Sequence, residues 1–284
     1  MGFIHEKRPS GLMGCIGAAL DDLLMTMRQL RLVTVFGWQD IRQRYRRSVL
    51  GPFWITVTMA VMIGALGIVF GAVLNSPMST YLPFLTIGLI MWTFMSSVVQ
   101  EGCTAFTAVE GMIRQMPIPL FVYVLRMFWR NTIILAHNFV IYPFVCLILG
   151  KPIGWEALFV IPGFLLVSVN LLWVSVCAAV LCTRFRDFTQ IVASILQVAF
   201  YVSPIIWMPT ALPGRTASMI LDPNPIYHML AIIRDPLLGV MPTATNWLVC
   251  GALAVIGWIF ALWLMGRART RIAYWLLGER HGLY

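Results

Sequence analysis

The chain has 284 residues, of which 60% are hydrophobic and 11% charged, and it carries a net charge of +9 with a mean hydropathy of +0.85. Soluble domains have about half apolar and about a quarter charged residues, so this composition excludes an ordinary soluble protein. None of its 11 acids lies in a long apolar stretch. Ion- and proton-coupled transporters usually carry their coupling charge on an intramembrane carboxylate. The sequence therefore predicts a membrane protein that is powered by a partner.

Six apolar stretches are long enough for membrane-spanning helices, which need about 20 residues each. The stretches are continuously apolar and do not alternate, which favours a helical bundle over a barrel. Arginines cluster before the first stretch and after the last, and Arg114, Arg184 and Arg186 lie after the second and fourth. This asymmetry predicts that both termini are cytoplasmic. The predicted fold is all-α and polytopic. Its predicted spans are residues 53–74, 82–99, 121–149, 157–181, 191–207 and 247–265.

The region before the first span divides into two parts. Residues 1–19 are rich in glycine and have no periodic pattern, so we expect a flexible N-terminus. From Leu20 to residue 37, apolar residues recur every three or four positions with charged residues among them. This pattern predicts an amphipathic helix. The helix is too polar to cross, so it either lies in the membrane surface or packs on other cytoplasmic parts.

A run of arginines directly precedes the first span. Such a cluster is a common topology signal, and it also attracts anionic lipid headgroups. Alternatively, guanidinium forks bind a phosphate bidentately, here on a lipid-linked substrate. Two more arginines open the third span four residues apart, where they either snorkel to phosphates or line a polar lateral entrance. These residues are Arg42, Arg44, Arg46 and Arg47 before the first span, and Arg126 and Arg130 in the third.

Two connecting segments have helical patterns of their own. Residues 107–118, between the second and third spans, form a short helix that two prolines close. Such a helix is either a docking element for an ATPase or a plain turn. Residues 208–246 lie on the external side, where proline punctuation precedes a helix with an apolar face. That helix is predicted to dip partway into the outer leaflet.

Motifs of enzymatic chemistry are absent from the sequence. It has no G-x-x-x-x-G-K-[ST] loop, and its only lysines are Lys7 and Lys151. It has no H-E-x-x-H, no G-x-S-x-G and no paired carboxylates within the spans. Its six cysteines form no CxxC pair. We therefore expect no catalytic residues, no metal and no cofactor in this chain, and the net charge, which reflects topology, is poor evidence for nucleic-acid binding. A conduit remains.

Three segments together resemble one family, the membrane subunit of type-2 ABC transporters that export polysaccharides such as O-antigen, capsule and teichoic acid. The order and spacing of the segments agree with the family over roughly residues 30–266. The segments are Asp40…Arg44-Tyr45-Arg46-Arg47-Ser48…Leu50-Gly51-Pro52-Phe53-Trp54, then Ser203-Pro204-Ile205-Ile206-Trp207, then Asn224-Pro225-Ile226-Tyr227-His228 through Arg234-Asp235-Pro236-Leu237-Leu238-Gly239.

The resemblance implies a homodimer of permease subunits with two ATPase subunits beneath, which bind ATP and Mg. It divides the chain into the flexible residues 1–19, a permease domain over 20–266 and a basic cytoplasmic tail over 267–284. Within the domain it implies an interface helix at 20–37, a coupling helix at 107–118 and external, re-entrant gate helices at 215–239. The residues expected to dock the ATPase are Glu110, Met112, Ile113 and Arg114.

The resemblance also places spans one and five at the channel. Trp54, Tyr201 and Trp207 then become candidates for contact with sugar rings, although Trp207 is equally explained as part of an interfacial aromatic belt. The candidates for holding the carrier phosphate are Arg44, Arg46, Arg47 and Arg126, and those of the gate are Asn224, Pro225, His228 and Arg234.

The implied function is export of a lipid-linked polysaccharide across the inner membrane, by a non-enzymatic subunit in contact with membrane lipids. One alternative is a type-2 ABC exporter of a drug or small lipid-like substrate. The other is an integral-membrane glycosyl- or acyltransferase, which would need a cluster of acidic or histidine residues that the scattered acids do not offer.

Overall fold

The computed structural model describes residues 11–44, 46, 51, 53–116 and 118–278. Over these residues it contains α-helices and short 3-10 turns and no strand, which confirms the predicted all-α fold. Arg47 and the side chain of Arg44 lie outside the described part. The helices are α1 (Gly11–Arg28), α2 (Leu30–Arg44), α3 (Phe53–Val73), α4 (Met78–Cys103), α5 (Glu110–Gln115), α6 (Leu120–Phe139), α7 (Ile141–Ile148), α8 (Val160–Arg184), α9 (Asp187–Val202), α10 (Gly214–Leu221), α11 (Pro225–Leu237) and α12 (Ala244–Gly278).

Helices α4 and α8 form the centre of the bundle. Of the residues in the most apolar 18-residue stretch of each helical segment, 67% are buried in α4 and 56% in the segment that contains α8. In α3 only 17% are buried. Helix α8 packs on α4, α6, α11 and α12. Uniformly apolar helices such as α3 need lipid or another protein surface around them. The chain is therefore a membrane protein whose outer helices present apolar surface.

The bundle has two ends that differ in composition. Helices α1, α2 and α5 lie at one end, which we call the basic end, and α10 and α11 lie at the other, which we call the far end. Helix α9 leaves α8 at the basic end and leads to α11, which packs against the 3-10 turn Trp155–Phe159 before α8. Helix α9 therefore runs along the bundle from the basic end towards the far end.

Five helical segments of the described chain are long and apolar enough to cross a membrane. The predicted fifth span, 191–207, corresponds instead to α9, which has 16 residues. At 1.5 Å per residue α9 is about 24 Å long, somewhat shorter than a hydrocarbon core of about 30 Å. The polytopic fold is confirmed, and the sixth crossing stays a prediction.

Two terminal segments differ from their predictions. Residues 11–19, predicted to be flexible, belong to α1, and the predicted interface helix is two helices that meet at Gln29. Helix α1 packs on α12, where Cys15 and Ala19 are buried. Because the residues on this contact face are small, the sequence shows no periodic series of large apolar residues there. The helix over residues 11–19 could therefore not be predicted. The predicted tail is also helical as far as Gly278, because Ala268, Ile272 and Leu276 are buried.

Gly266 on α12 has no space for a side chain, since a Cβ there would lie 1.8 Å from the carbonyl oxygen of Cys15. We expect Gly266→Ala to push α1 away from α12 and to destabilise the protein by about 1–3 kcal/mol, as overpacking does. The measurement is the apparent unfolding temperature of the purified protein in detergent. Gly251, on the same helix, has nothing within 4 Å of such a Cβ, so Gly251→Ala is the control and should not destabilise. Equal temperatures for the two variants would contradict the close packing.

Candidate functional site

A cleft of about 480 Å³ lies between α3, α4 and α9, and we call it the α4–α9 cleft. Its α4 wall is a polar stripe on an otherwise apolar helix, because its members recur every three or four residues and so share one face. Hydroxyl and amide side chains from both α4 and α9 line it beside aromatic rings. The lining residues are Met62, Trp92, Thr93, Ser96, Ser97, Gln100, Leu196, Gln197, Phe200 and Tyr201.

The aromatic rings of this cleft form a connected row. The ring centroids of Trp92 and Phe200 lie 5.6 Å apart, and those of Phe200 and Tyr201 lie 5.3 Å apart. Tyr201 is 66% exposed, so its ring is available for contact. A row of rings beside amides and hydroxyls can stack against the C–H faces of sugars and hydrogen-bond their hydroxyl groups. The prediction of Tyr201 as a contact residue is compatible with this position.

The other two predicted aromatic candidates lie elsewhere. The indole N–H of Trp207 donates to the carbonyl oxygen of Tyr201 at 3.0 Å, which folds the ring back on the end of α9. Trp54 lies in the first turn of α3 at the basic end and is 58% exposed. The structure therefore brings Tyr201 and Trp207 together and places Trp54 at the other end of the bundle.

Helix α9 is covered on only a small part of its surface. None of its residues 187–202, all of them described, is buried. A second cleft, of about 730 Å³, lies between α9 and the segment around Pro223 and Pro225. Its α9 wall is formed mainly by apolar side chains such as Ile191, Ile195 and Val198. The helix thus separates a polar, aromatic cleft from an apolar one.

Asn224 joins the start of α11 to the end of α9. Its side-chain oxygen accepts from the backbone N–H groups of Ile226 at 3.0 Å and Tyr227 at 3.3 Å, which caps the helix. Its amide nitrogen donates to the hydroxyl of Ser203 at 3.0 Å. Pro225 occupies the first turn of the helix, where its missing N–H is not needed. The Ser-Pro and Asn-Pro segments of the sequence therefore meet in space.

Two more predicted gate residues hold α11 inside the bundle. Arg234 is 2% exposed, donates to the carbonyl oxygen of Pro204 at 2.7 Å, and its guanidinium lies 4.1 Å from the ring centroid of Phe84. Burial lowers the pKa of Arg234 to about 10, so it stays charged at neutral pH. The two ring nitrogens of His228 lie 2.8 Å from Asn246 Oδ1 and 2.9 Å from the Asp222 carbonyl oxygen. These side chains fix α11 against its neighbours.

A network of four charged side chains joins α2, α4 and α6 at the basic end. Arg126 binds the carboxylate of Asp40 in a bidentate manner. Its Nε donates to one oxygen at 2.7 Å, and its Nη2 donates to the second oxygen. Arg130 donates to Asp40 at 3.0 Å and to Glu101 at 2.6 Å, and Asn131 also donates to Glu101 at 2.6 Å. Two cations and two anions thus balance, which holds α2 on the bundle.

The predicted phosphate-binding arginines do not all lie together. Arg46 and Arg42 line a cleft of about 1050 Å³ with Trp38 and Gly51, and we call it the basic cleft. Arg126 is outside that lining, and its guanidinium is engaged by Asp40. The sequence did not predict this ion pair, because its partners are 86 residues apart. Phosphate binding by Arg44, Arg46, Arg47 and Arg126 stays a prediction.

The predicted coupling helix is α5, preceded by a 3-10 turn, Thr107–Val109. Met112 and Ile113 are half-buried and pack on the core. Arg114 pairs with Glu110 and donates to the carbonyl oxygen of Leu276 in α12. Among the described residues 107–116 and 118 of the segment, the exposed ones are Ala108, Gly111, Arg114, Gln115 and Met116.

The fold and the clefts define an all-α integral-membrane protein with a polar, aromatic cleft beside α9 and a short helix at one end. The chain belongs to the ABC-2 type transporter family, whose model matches residues 31–238, and it has the architecture of a membrane subunit. An O-antigen export system permease protein of Myxococcus xanthus is 24% identical over 198 residues, which are 68% of this chain and 74% of that protein. Two such permease proteins of Klebsiella pneumoniae are 23% and 25% identical, over 72% of this chain and 79% of each relative.

Replacing Arg130 tests the charge network. Arg130→Gln leaves Asp40 and Glu101 each without one cationic donor, and a hydrogen bond to a charged group contributes about 1–3 kcal/mol. We expect a lower apparent unfolding temperature in detergent. The control is Arg42→Gln, since Arg42 is exposed on α2. An unfolding temperature for Arg130→Gln that matches that of Arg42→Gln would mean that the network contributes little.

Proposed function

We propose that this protein is the membrane subunit of an ATP-driven transporter that exports a lipid-linked polysaccharide from the cytoplasm across the inner membrane. The observation that carries the proposal is the α4–α9 cleft, in which amides, hydroxyls and a row of rings line a groove in an otherwise apolar bundle. A sliding sugar chain needs flat surfaces that attract every ring similarly. The proposal is also supported by the relatives, which are named as O-antigen export permeases.

A separate ATPase subunit supplies the energy in this proposal, and ATP and Mg bind there. The sequence has no phosphate-binding loop of its own. The ATPase docks on the exposed face of α5, at Gly111, Gln115 and Met116. Of the four predicted docking residues, Glu110 and Arg114 then orient the helix, while Met112 and Ile113 pack beneath it.

Two copies of the subunit form the conduit in this proposal. A groove that is open on one side leaves a polar polymer exposed to lipid, where unpaired hydroxyl groups are costly. Helices α3 and α9 flank the groove and leave most of their surface uncovered. A second copy that faces the first across these helices closes the groove into a channel.

The basic end faces the cytoplasm in this proposal, and both termini lie there. The arginine distribution supports this orientation through the positive-inside rule. The basic cleft then receives the phosphate of the lipid carrier at Arg42 and Arg46. The polymer runs along the α4–α9 cleft towards α11, which covers the exit.

A second candidate function is export of a drug or small lipid-like molecule. The apolar cleft of about 730 Å³ beside α9 favours it, because apolar walls suit an apolar ligand. The two candidates are distinguished by measuring ATP hydrolysis by the assembled transporter. Stimulation by a lipid-linked polysaccharide supports the first, and stimulation by a small lipid-like molecule supports the second.

The purified subunit alone, in liposomes, should hydrolyse no ATP and should take up no substrate in response to a proton or sodium gradient. The reason is that it has neither a phosphate-binding loop nor carboxylates within its apolar stretches. Phosphate release and flux assays check this. Transport by the subunit alone, driven by an ion gradient, would refute the proposed energy source.

A photoreactive residue at Tyr201 should cross-link to polysaccharide during ATP-driven export. The control position is Ile256 on α12, which is 67% exposed and distant in sequence from the cleft. We expect glycan adducts at Tyr201 that need ATP, and phospholipid adducts alone at Ile256. Phospholipid adducts alone at both positions, while export proceeds, would remove the α4–α9 cleft from the polymer's path.

A further inference from the structure

Helix α12 is much longer than a membrane crossing requires. Its 35 residues span about 52 Å, whereas about 20 residues cross the hydrocarbon core. Its last part, residues 266–278, extends along the basic end, and we call it the α12 extension. One face of the extension is buried, at Ala268, Ile272 and Leu276. The extension is therefore a packed element of the subunit.

We call residues 107–118, which contain α5, the coupling segment, and Arg114 makes its first attachment to the extension. Its guanidinium donates to the carbonyl oxygen of Leu276 and also pairs with Glu110, one turn earlier on α5. The last carbonyl groups of a helix lack partners within the helix and carry a partial negative charge, which favours a cation. Arg114 thus fixes α5 to the end of α12.

The second attachment is made by Asp22 of α1, which is 1% exposed. One carboxylate oxygen accepts from the backbone N–H of Phe121 at 3.1 Å, in the first turn of α6. The other oxygen lies 3.8 Å from Nε of Arg269 on the extension, and Arg269 also donates to the carbonyl oxygen of Ala18 at 3.2 Å. Since α6 begins directly after the coupling segment, Asp22 fixes the second end of that segment.

Both attachments lead to the extension of one helix, α12. Arg269 and Leu276 are seven residues apart, which is about two helical turns. The segment from Arg114 to Phe121 is therefore held at both ends to the extension, once directly and once through Asp22. Helix α12 also packs closely on α8, at the centre of the bundle.

We propose that the α12 extension is the support through which movement of α5 reaches the membrane helices, and that Asp22 and Arg114 are the positioning residues that hold α5 to it. This inference rests on the proposed function, since it requires an ATPase that moves α5. A coupling segment with loose ends would absorb a push from the ATPase in its own connections. With both ends held, the push moves α5, α1 and α12 together, and α8 with them.

The test uses the complete transporter, with its ATPase subunits, in proteoliposomes. ATP hydrolysis and polysaccharide export are measured together, so that their ratio reports coupling. In Asp22→Asn, we expect hydrolysis within about twofold of the wild type. In both Asp22→Asn and Arg114→Gln, we expect a fall of roughly tenfold in glycan exported per ATP, a typical coupling effect. Arg114→Lys, which keeps a donor for the Leu276 carbonyl oxygen, should regain part of the loss.

Asp21→Asn is the matched control, because Asp21 is the neighbouring residue and is exposed. It should leave the ratio unchanged. If Asp22→Asn does not fold, Arg269→Gln weakens the same attachment from the α12 side and leaves the Asp22 carboxylate to cap α6. It should lower the ratio in the same way.

Normal export per ATP in both Asp22→Asn and Arg114→Gln would overturn the inference. Export and hydrolysis that fall in parallel would also overturn it, because docking rather than transmission would then be lost. A wild-type transporter that hydrolyses ATP but moves no glycan would instead refute the proposed function.

Discussion

Charged side chains at the edge of a hydrocarbon layer are stable only when opposite charges neutralise them or water solvates them. The pairing of Arg126 and Arg130 with Asp40 and Glu101 meets this requirement at the basic end. It also sets the arrangement of the helices, since Asp40 lies on α2, Glu101 lies in the last turn of α4 and both arginines lie on α6. The position of the N-terminal helices, and of the coupling segment between α4 and α6, depends on this neutralisation.

The far end is organised by one buried cation. Arg234 would be unfavourable in an apolar interior without its contacts with the Pro204 carbonyl oxygen and the face of Phe84. These contacts draw together α11, α4 and the segment after α9. A helix that the sequence presents as an amphipathic element of the outer leaflet is thereby partly enclosed by protein. Its enclosed residues, such as Leu230 and Ile232, are fully buried.

The sequence predicts most of this architecture, because apolar runs of about 20 residues leave few alternatives to a membrane helix. It could not predict the partners of Arg126 and Arg130, since periodicity says nothing about contacts between helices. It missed the first half of α1, residues 11–19, because small residues at a close helix contact leave no large apolar stripe. In the candidate site, Tyr201 was predicted but Trp92 was not. The stripe of Thr93, Ser96 and Gln100 on α4 was a readable signal, since polar residues three and four apart share a helix face.

The hydrogen bond between Asn224 and Ser203 links two parts of the far end that would otherwise be independent. Ser203 follows the last turn of α9 directly, and Tyr201 lies in that turn. Any displacement of α11 that preserves this bond therefore also rotates or shifts the ring that borders the α4–α9 cleft. A movement of α11 and a change in the aromatic wall of the α4–α9 cleft therefore occur in one step, because one hydrogen bond joins the two elements.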